Sequence, residues 1–162
     1  MNNSTTKLMF SSKSNEWATP QPFFNKLDQK FNFTLDPCAT KTTAKCKKFY
    51  TSKEDGLSKS WQGETVFVNP PYGRELKHWV KKSYDESRDS NTTVVLLCPA
   101  RTDTQYFHDY MMKASELQFI KGRIKFENKN KANNSAPFDS TIFSKLLNIK
   151  RAVRKVGPAI RI

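Results

Sequence analysis

Acidic residues are scarce in this chain of 162 residues: 15 Asp and Glu stand against 28 Lys and Arg, a net charge of +13. Such an imbalance predicts salt-sensitive attraction to a polyanion and makes nucleic acid the expected partner, without separating DNA from RNA. Long apolar runs are missing too. No stretch reaches the about 18 apolar residues of a membrane-spanning helix, and Met1 to Thr6 lack the basic-then-apolar layout of a secretory leader. There are three cysteines, Cys38, Cys46 and Cys98, widely spaced and odd in number. That excludes a disulfide framework and fits reduced thiols in a cytoplasm. Together with only His78 and His108 they form no zinc-ligand spacing, so no metal is expected. Neither histidine pairs with a Ser or Cys in a nucleophile pattern, which leaves hydrolase chemistry unsupported. Internal repeats are absent as well.

What is present reads as one aromatic-rich domain, with 12 Phe, 3 Trp and 5 Tyr. Residues 1–14 are polar and expected to be flexible, the domain spans 15–149, and 150–162 form a basic tail with Lys150, Arg151, Arg154, Lys155 and Arg161. Thr19-Pro20 reads as a helix N-cap and first helical residue, followed by Phe23, Phe24, Leu27 and Phe31 on one face. Strands are predicted at 33–35, more weakly at 45–51, and at 65–69. A helix over 74–88 would bury Leu76, Trp79, Val80 and Tyr84. Thr92 to Cys98 is continuously apolar, as in a central strand covered on both faces. A helix over 104–114 and strands at 117–120, 123–126 and 140–144 complete the pattern, with a polar Asn-rich loop at 127–137. Alternating strands and helices predict an α/β fold with a parallel sheet, whose ligands bind beyond the carboxyl ends of the strands. Asp36, Asp55, Asn69 and Pro99 all fall at or after predicted strand ends, which suggests one shared site.

The segment Val66-Phe67-Val68-Asn69-Pro70-Pro71-Tyr72-Gly73 carries the sharpest chemical signal. Val66, Phe67 and Val68 are β-formers, and two prolines cannot continue a strand. The chain therefore leaves the sheet edge holding an amide side chain, a carbonyl and an aromatic ring in a rigid, extended loop. Such a loop can hydrogen-bond a planar amino group and stack on the ring that bears it. A plain Pro-Pro loop with a stacking Tyr is the bland alternative.

Asn69-Pro70-Pro71-Tyr72 resembles the Asn/Asp/Ser-Pro-Pro-Tyr/Phe motif of S-adenosylmethionine-dependent amino methyltransferases. Further pieces resemble the phage-type DNA N6-adenine methyltransferases, the phage Dam-like family. They are Asn15 to Pro20, Leu35-Asp36-Pro37-Cys38-Ala39, Glu54-Asp55-Gly56-Leu57 with Trp61, Pro99 to Thr104 and Gly122 to Phe126. They occur in the family's order and cover residues 15 to about 143. The resemblance implies a Rossmann-like fold with a mostly parallel sheet flanked by helices, S-adenosylmethionine as cofactor, and a phage-encoded enzyme working in a bacterial cytoplasm on double-stranded DNA. No membrane span is expected from the sequence, and no obligate protein partner is implied. A short palindrome such as GATC is an expected target, although no residue here specifies it.

In that light Asn69 and the Pro70 carbonyl would accept from the two N–H bonds of adenine N6 and stabilise charge developing on the amine. Pro71 stiffens the loop, and Tyr72 would stack on an extruded base. Asn at the first position points away from cytosine but does not separate DNA adenine from RNA adenine or a protein glutamine. Asp36, with Pro37 and Cys38, stands in for the usual Gly-rich cofactor loop and is expected at the methionine end of the cofactor, beside its amino group. Trp17, Thr19 and Pro20 resemble the family's N-terminal cofactor element, where a helix N-terminus and a hydroxyl suit the methionine carboxylate; helix capping and core packing are the alternative. Asp55 reads either as an acceptor for the cofactor's ribose or adenine, or as a turn aspartate. Arg101, Arg123 and Lys125 are the candidates for DNA phosphates, with a solvated surface as their alternative. Asp103 suits a helix cap and Phe107 the core. Two rival functions stay open: methyl transfer to RNA or a protein amide, and a non-catalytic DNA-binding module of the same fold.

Overall fold

The computed structural model describes residues 18–126, 140–145, 155–156 and 160–161. Trp17, the 1–14 segment, the 127–137 loop and most of the 150–162 tail lie outside the described residues. Helix α1 (Gln21–Phe31) buries Phe23, Phe24 and Leu27. It stops at Asn32, which takes a left-handed backbone and returns its N–H to the Asp28 carbonyl. The Asp28 carboxylate also accepts from the Phe33 N–H at 2.8 Å, turning the chain sharply into the sheet. Phe24, Phe33 and Phe67 then pack with ring centroids 5.1–5.6 Å apart and fasten α1 to the sheet face.

Strands β1 (Leu35–Asp36), β2 (Lys48–Phe49), β3 (Thr65–Val68) and β4 (Thr93–Pro99) pair in parallel in the order β2-β1-β3-β4. Every residue of β4 is buried, as its unbroken apolar sequence predicts. Helix α2 (Leu76–Glu86) connects β3 to β4 and buries Leu76, Trp79 and Val80. The fourth buried position is Ser83 rather than Tyr84, whose half-buried ring packs against Tyr110 at 5.4 Å. Beyond β4 lie β5 (Glu116–Lys121) and β6 (Ser140–Lys145). Strand β6 inserts antiparallel between β4 and β5. Two short strands, β7 (Lys155–Val156) and β8 (Ile160–Arg161), pair in parallel with β5. Among the described residues the sheet is therefore mostly parallel, flanked by helices, as expected.

Local expectations fail in several places. Thr19 is not an N-cap: the cap position falls on Pro20, with another proline in the first turn, and no side chain caps the helix. The Thr19 hydroxyl is engaged elsewhere. The 104–114 helix shortens to α3 (Gln105–Asp109) and a separate 3-10 turn (Met111–Lys113), because Tyr110 leaves helical backbone where its ring meets Tyr84. Asp103 caps nothing; the helix begins after Thr104, whose hydroxyl donates to the Arg101 carbonyl. The 45–51 strand shrinks to β2 because the Lys45 N–H is drawn away to the Asp36 carboxylate. Gly122, at φ +92°, turns the chain after β5, so 123–126 form no continuous strand. Phe107 is buried, as expected.

Candidate active site

Parallel pairing of β1, β3 and β4 puts their carboxyl ends on one edge of the sheet. Asp36 closes β1, Asn69 follows β3, and Pro99 closes β4. The register Leu35↔Val66 makes the first two strand ends neighbours. A cleft of about 810 Å³, its open mouth included, lies over this edge. Of the residues singled out in the sequence, Thr19, Asp36, Pro37, Cys38, Asp55, Asn69, Pro70 and Pro71 line it.

Asp36 is 4% exposed. Its two carboxylate oxygens accept from the Cys38 N–H at 3.4 Å and the Lys45 N–H at 3.1 Å. Burial pushes its pKa up from 3.8 to about 6, against the opposing pull of those two N–H groups and of the Lys45 charge. The adjacent Cys38 thiol is driven up by burial and by the Asp36 charge, so it is a protonated wall residue rather than a nucleophile.

Asn69 is held on both sides. Its Nδ2 donates to Thr19 Oγ1 at 2.9 Å, and its Oδ1 accepts from the Tyr72 hydroxyl at 2.7 Å. Pro70 is buried, which fixes the loop behind the amide. The Tyr72 ring is only 7% exposed and meets Phe126 edge-on at 6.2 Å. Burial raises the phenol pKa well above its usual value, so the hydroxyl stays a neutral donor.

The Glu54-Asp55-Gly56-Leu57…Trp61 motif has a mechanical explanation that sequence reasoning missed. A Cβ on Gly56 would lie 1.9 Å from the Pro37 carbonyl oxygen, so only glycine lets this turn approach the Asp36 loop. The fully buried Trp61 donates its indole N–H to the Gly56 carbonyl at 3.0 Å and stacks on Trp79, another wall of the cleft. Asp55 adopts φ +52° and receives the Leu57 N–H at 3.2 Å, leaving it exposed at the cleft mouth. The juxtaposition of Asp55 and Gly56, two turn residues in a row, is the local signal for the bend. The Lys45 contribution had no such signal, since it acts through its backbone.

Arg101 is exposed in the turn after β4 and lies outside the cleft lining. Arg123 and Lys125 are exposed, alternating with Ile124 and Phe126, which are 0% and 1% exposed. Since Phe126 packs on Tyr72, these two cations belong to the segment that backs the Asn69 loop. Among the described residues no cluster of His, Cys, Asp or Glu is placed to hold a metal ion, and no helix is long and apolar enough to cross a membrane.

A mostly parallel sheet with an acidic side chain ending its first strand, and an Asn-Pro-Pro-Tyr motif after a neighbouring strand whose Asn69, Pro70 and Pro71 line the same cleft, defines the class of S-adenosylmethionine-dependent amino methyltransferases. Comparison with known proteins narrows the class. The profile of the DNA N-6-adenine-methyltransferase (Dam) family matches residues 5–158. The chain is 36% identical over 131 residues to the DNA N-6-adenine-methyltransferase of Haemophilus phage HP1, covering 79% of this chain and 73% of that protein. It is 32% identical over 111 residues to the protein of the same description from Escherichia phage T1, covering 67% of this chain and 45% of the relative. The chain belongs to the DNA N-6-adenine-methyltransferase (Dam) family: it is a DNA adenine N6-methyltransferase that uses S-adenosylmethionine.

Proposed function

We propose that this enzyme methylates an adenine turned out of double-stranded DNA, with Asn69 and Pro70 as the groups that hold its N6 amine. The observation that carries this reading is the position of Asn69. It stands at the carboxyl end of β3, in the wall of the cleft that contains Asp36, and its Oδ1 already receives a hydrogen bond. When bound, S-adenosylmethionine would supply its sulfonium methyl for transfer to N6 and leave as S-adenosylhomocysteine, with one amine proton released. Asn69 Oδ1 and the Pro70 carbonyl accept from the two N6 hydrogens and stabilise the positive charge that grows on nitrogen. Pro70 and Pro71 hold these acceptors rigid, which makes the geometry available before the base arrives.

The cofactor fits the residues present. A carboxyl raised to about 6 by burial is ionised at neutral pH at a cost that an approaching ligand ammonium relieves, so Asp36 suits the amino group at the methionine end. Pro37 and Cys38 extend that wall, Thr19 lines the cleft where the methionine carboxylate would lie, Pro20 follows it in the chain outside the lining, and Asp55 at the mouth suits the ribose or adenine hydrogens. Tyr72 is 7% exposed and outside the cleft lining, so it stacks on the base only after its ring moves from its place against Phe126. Arg123 and Lys125 grip phosphates beside this opening, and Arg101 reaches the backbone from the β4 side. A palindrome such as GATC is the proposed target, and the cytoplasm of a phage's bacterial host the proposed setting.

Incubating the protein with methyl-labelled S-adenosylmethionine and unmethylated plasmid tests the reading. Restriction enzymes that differ in sensitivity to adenine methylation, followed by mapping of the modified base, identify the site. Label on adenine in duplex DNA is expected. Transfer to RNA or protein instead, or DNA methylation undiminished by N69A, would contradict it.

A further inference from the structure

A hydroxyl donates and accepts alike, so an amide held between two hydroxyls satisfies both partners in either orientation. Asn69 is such an amide: Nδ2 meets Thr19 Oγ1 and Oδ1 meets the Tyr72 hydroxyl. Reversing the side chain reverses the direction of these two hydrogen bonds without breaking either. Only one direction serves the chemistry. With Oδ1 facing the substrate the amide accepts from an amine; reversed, it would set N–H donors against N–H donors.

Fixing the proton of either hydroxyl therefore fixes the amide. Tyr72 is buried against Phe126 outside the cleft lining and has to move to stack on a base, so it is poorly suited to that task. Thr19 is 2% exposed, sits directly before α1, and lines the cleft together with Asp36 and Asn69. We propose that Thr19 is a positioning residue that couples cofactor occupancy to the orientation of the Asn69 amide. Its single proton is donated into the cleft, to the carboxylate at the amino-acid end of the cofactor, leaving only oxygen lone pairs toward Asn69. Nδ2 must then face Thr19, and Oδ1 is presented to the adenine. The failed N-cap finds its reason here: the hydroxyl faces Asn69, fifty residues away, instead of the first turn of its own helix. The inference rests on the reading above that the methionine end lies beside Asp36 and Thr19.

The test compares T19V, which keeps the shape but removes the hydroxyl, with T19S, which keeps the hydroxyl. Two quantities are read. One is the split of kcat against KM for S-adenosylmethionine. The other is the ratio of duplex affinities without and with S-adenosylhomocysteine, measured by fluorescence anisotropy on a short duplex spanning the mapped adenine. In the unsubstituted enzyme the product-like ligand is expected to tighten DNA binding by at least about fivefold. T19S keeps this coupling and turns over near the unsubstituted rate. T19V loses the coupling and roughly tenfold to a hundredfold in kcat at saturating cofactor. In an N69A background T19V changes the coupling no further, because it acts through that amide. A T19V enzyme with normal kcat, retained coupling and only a raised KM would overturn the proposal. So would a T19S enzyme as impaired as T19V. An unsubstituted protein that binds no S-adenosylhomocysteine and labels no DNA defeats the functional reading itself, a distinct result.

Discussion

Replacing Asp36 with asparagine removes a carboxylate that burial makes costly in the empty protein and that the cofactor makes useful. Its pKa rises from 3.8 to about 6 in the folded chain. At 1.36 kcal/mol per unit, the ionised group costs the empty fold about 3 kcal/mol at pH 8. The sign follows from proton uptake: the folded state binds the proton more tightly than the unfolded chain, so this contribution to stability grows as pH falls from above 6 towards 3.8. At pH 5 the cost is about half its value at pH 8. Asparagine escapes it but keeps only one of the two backbone donors, Lys45 N–H or Cys38 N–H, which forfeits about 1 kcal/mol. D36N without ligand should therefore be about 2 kcal/mol more stable than the unsubstituted protein at pH 8, a Tm rise of roughly 4–8 °C, with the gap closing near pH 5. Ligand reverses the ranking. S-adenosylhomocysteine at about a hundred times its Kd should add about 2.7 kcal/mol to the unsubstituted protein and far less to D36N. Thermal unfolding at the two pH values, with and without ligand, measures all four states. A D36N protein less stable at pH 8, or one that binds the ligand equally well, would refute the argument.

Cofactor affinity in the unsubstituted enzyme should fall by about tenfold per pH unit below the Asp36 pKa of about 6, read by calorimetry. N69A should lower kcat by about a hundredfold to a thousandfold while leaving salt-sensitive DNA binding in place; filter binding beside the methylation assay separates the two. G56A forces a Cβ to 1.9 Å from the Pro37 oxygen and should cost more than the 1–3 kcal/mol or so of ordinary overpacking. G63A, at φ +78° with open space around it, should cost only about 1 kcal/mol; urea melts rank the pair. The double substitution R123A/K125A should weaken binding across DNA sequences and reduce the slope of log K on log salt by up to about 0.9 per lost phosphate contact.

The parts of the fold legible in the sequence are those whose burial is periodic or continuous. Strand β4 carries no polar position between Val94 and Cys98, and α1 sets Phe23, Phe24 and Leu27 on one stripe. Asn69-Pro70-Pro71 was legible because two prolines end a strand wherever it lies. Contacts between distant segments were not. Thr19 carries every local mark of a cap, yet its hydroxyl is claimed by a residue that no local rule connects to it. Asp36 owes its anchoring to a backbone N–H at Lys45, and backbone donors leave no trace in residue type. The break at Tyr110 is equally silent, since neither glycine nor proline marks it and only the Tyr84 ring accounts for it.

Because the Gly56 turn rests on the Pro37 carbonyl with no room for a methyl, and Trp61 ties that turn down from behind, residues 36–38 and 56–61 behave as one rigid plate. Segment exchange between homologues therefore has to transfer both stretches as a set. A chimaera that splits them inherits two half-walls of different curvature, and its defect surfaces as poor cofactor retention, far from the junction that caused it.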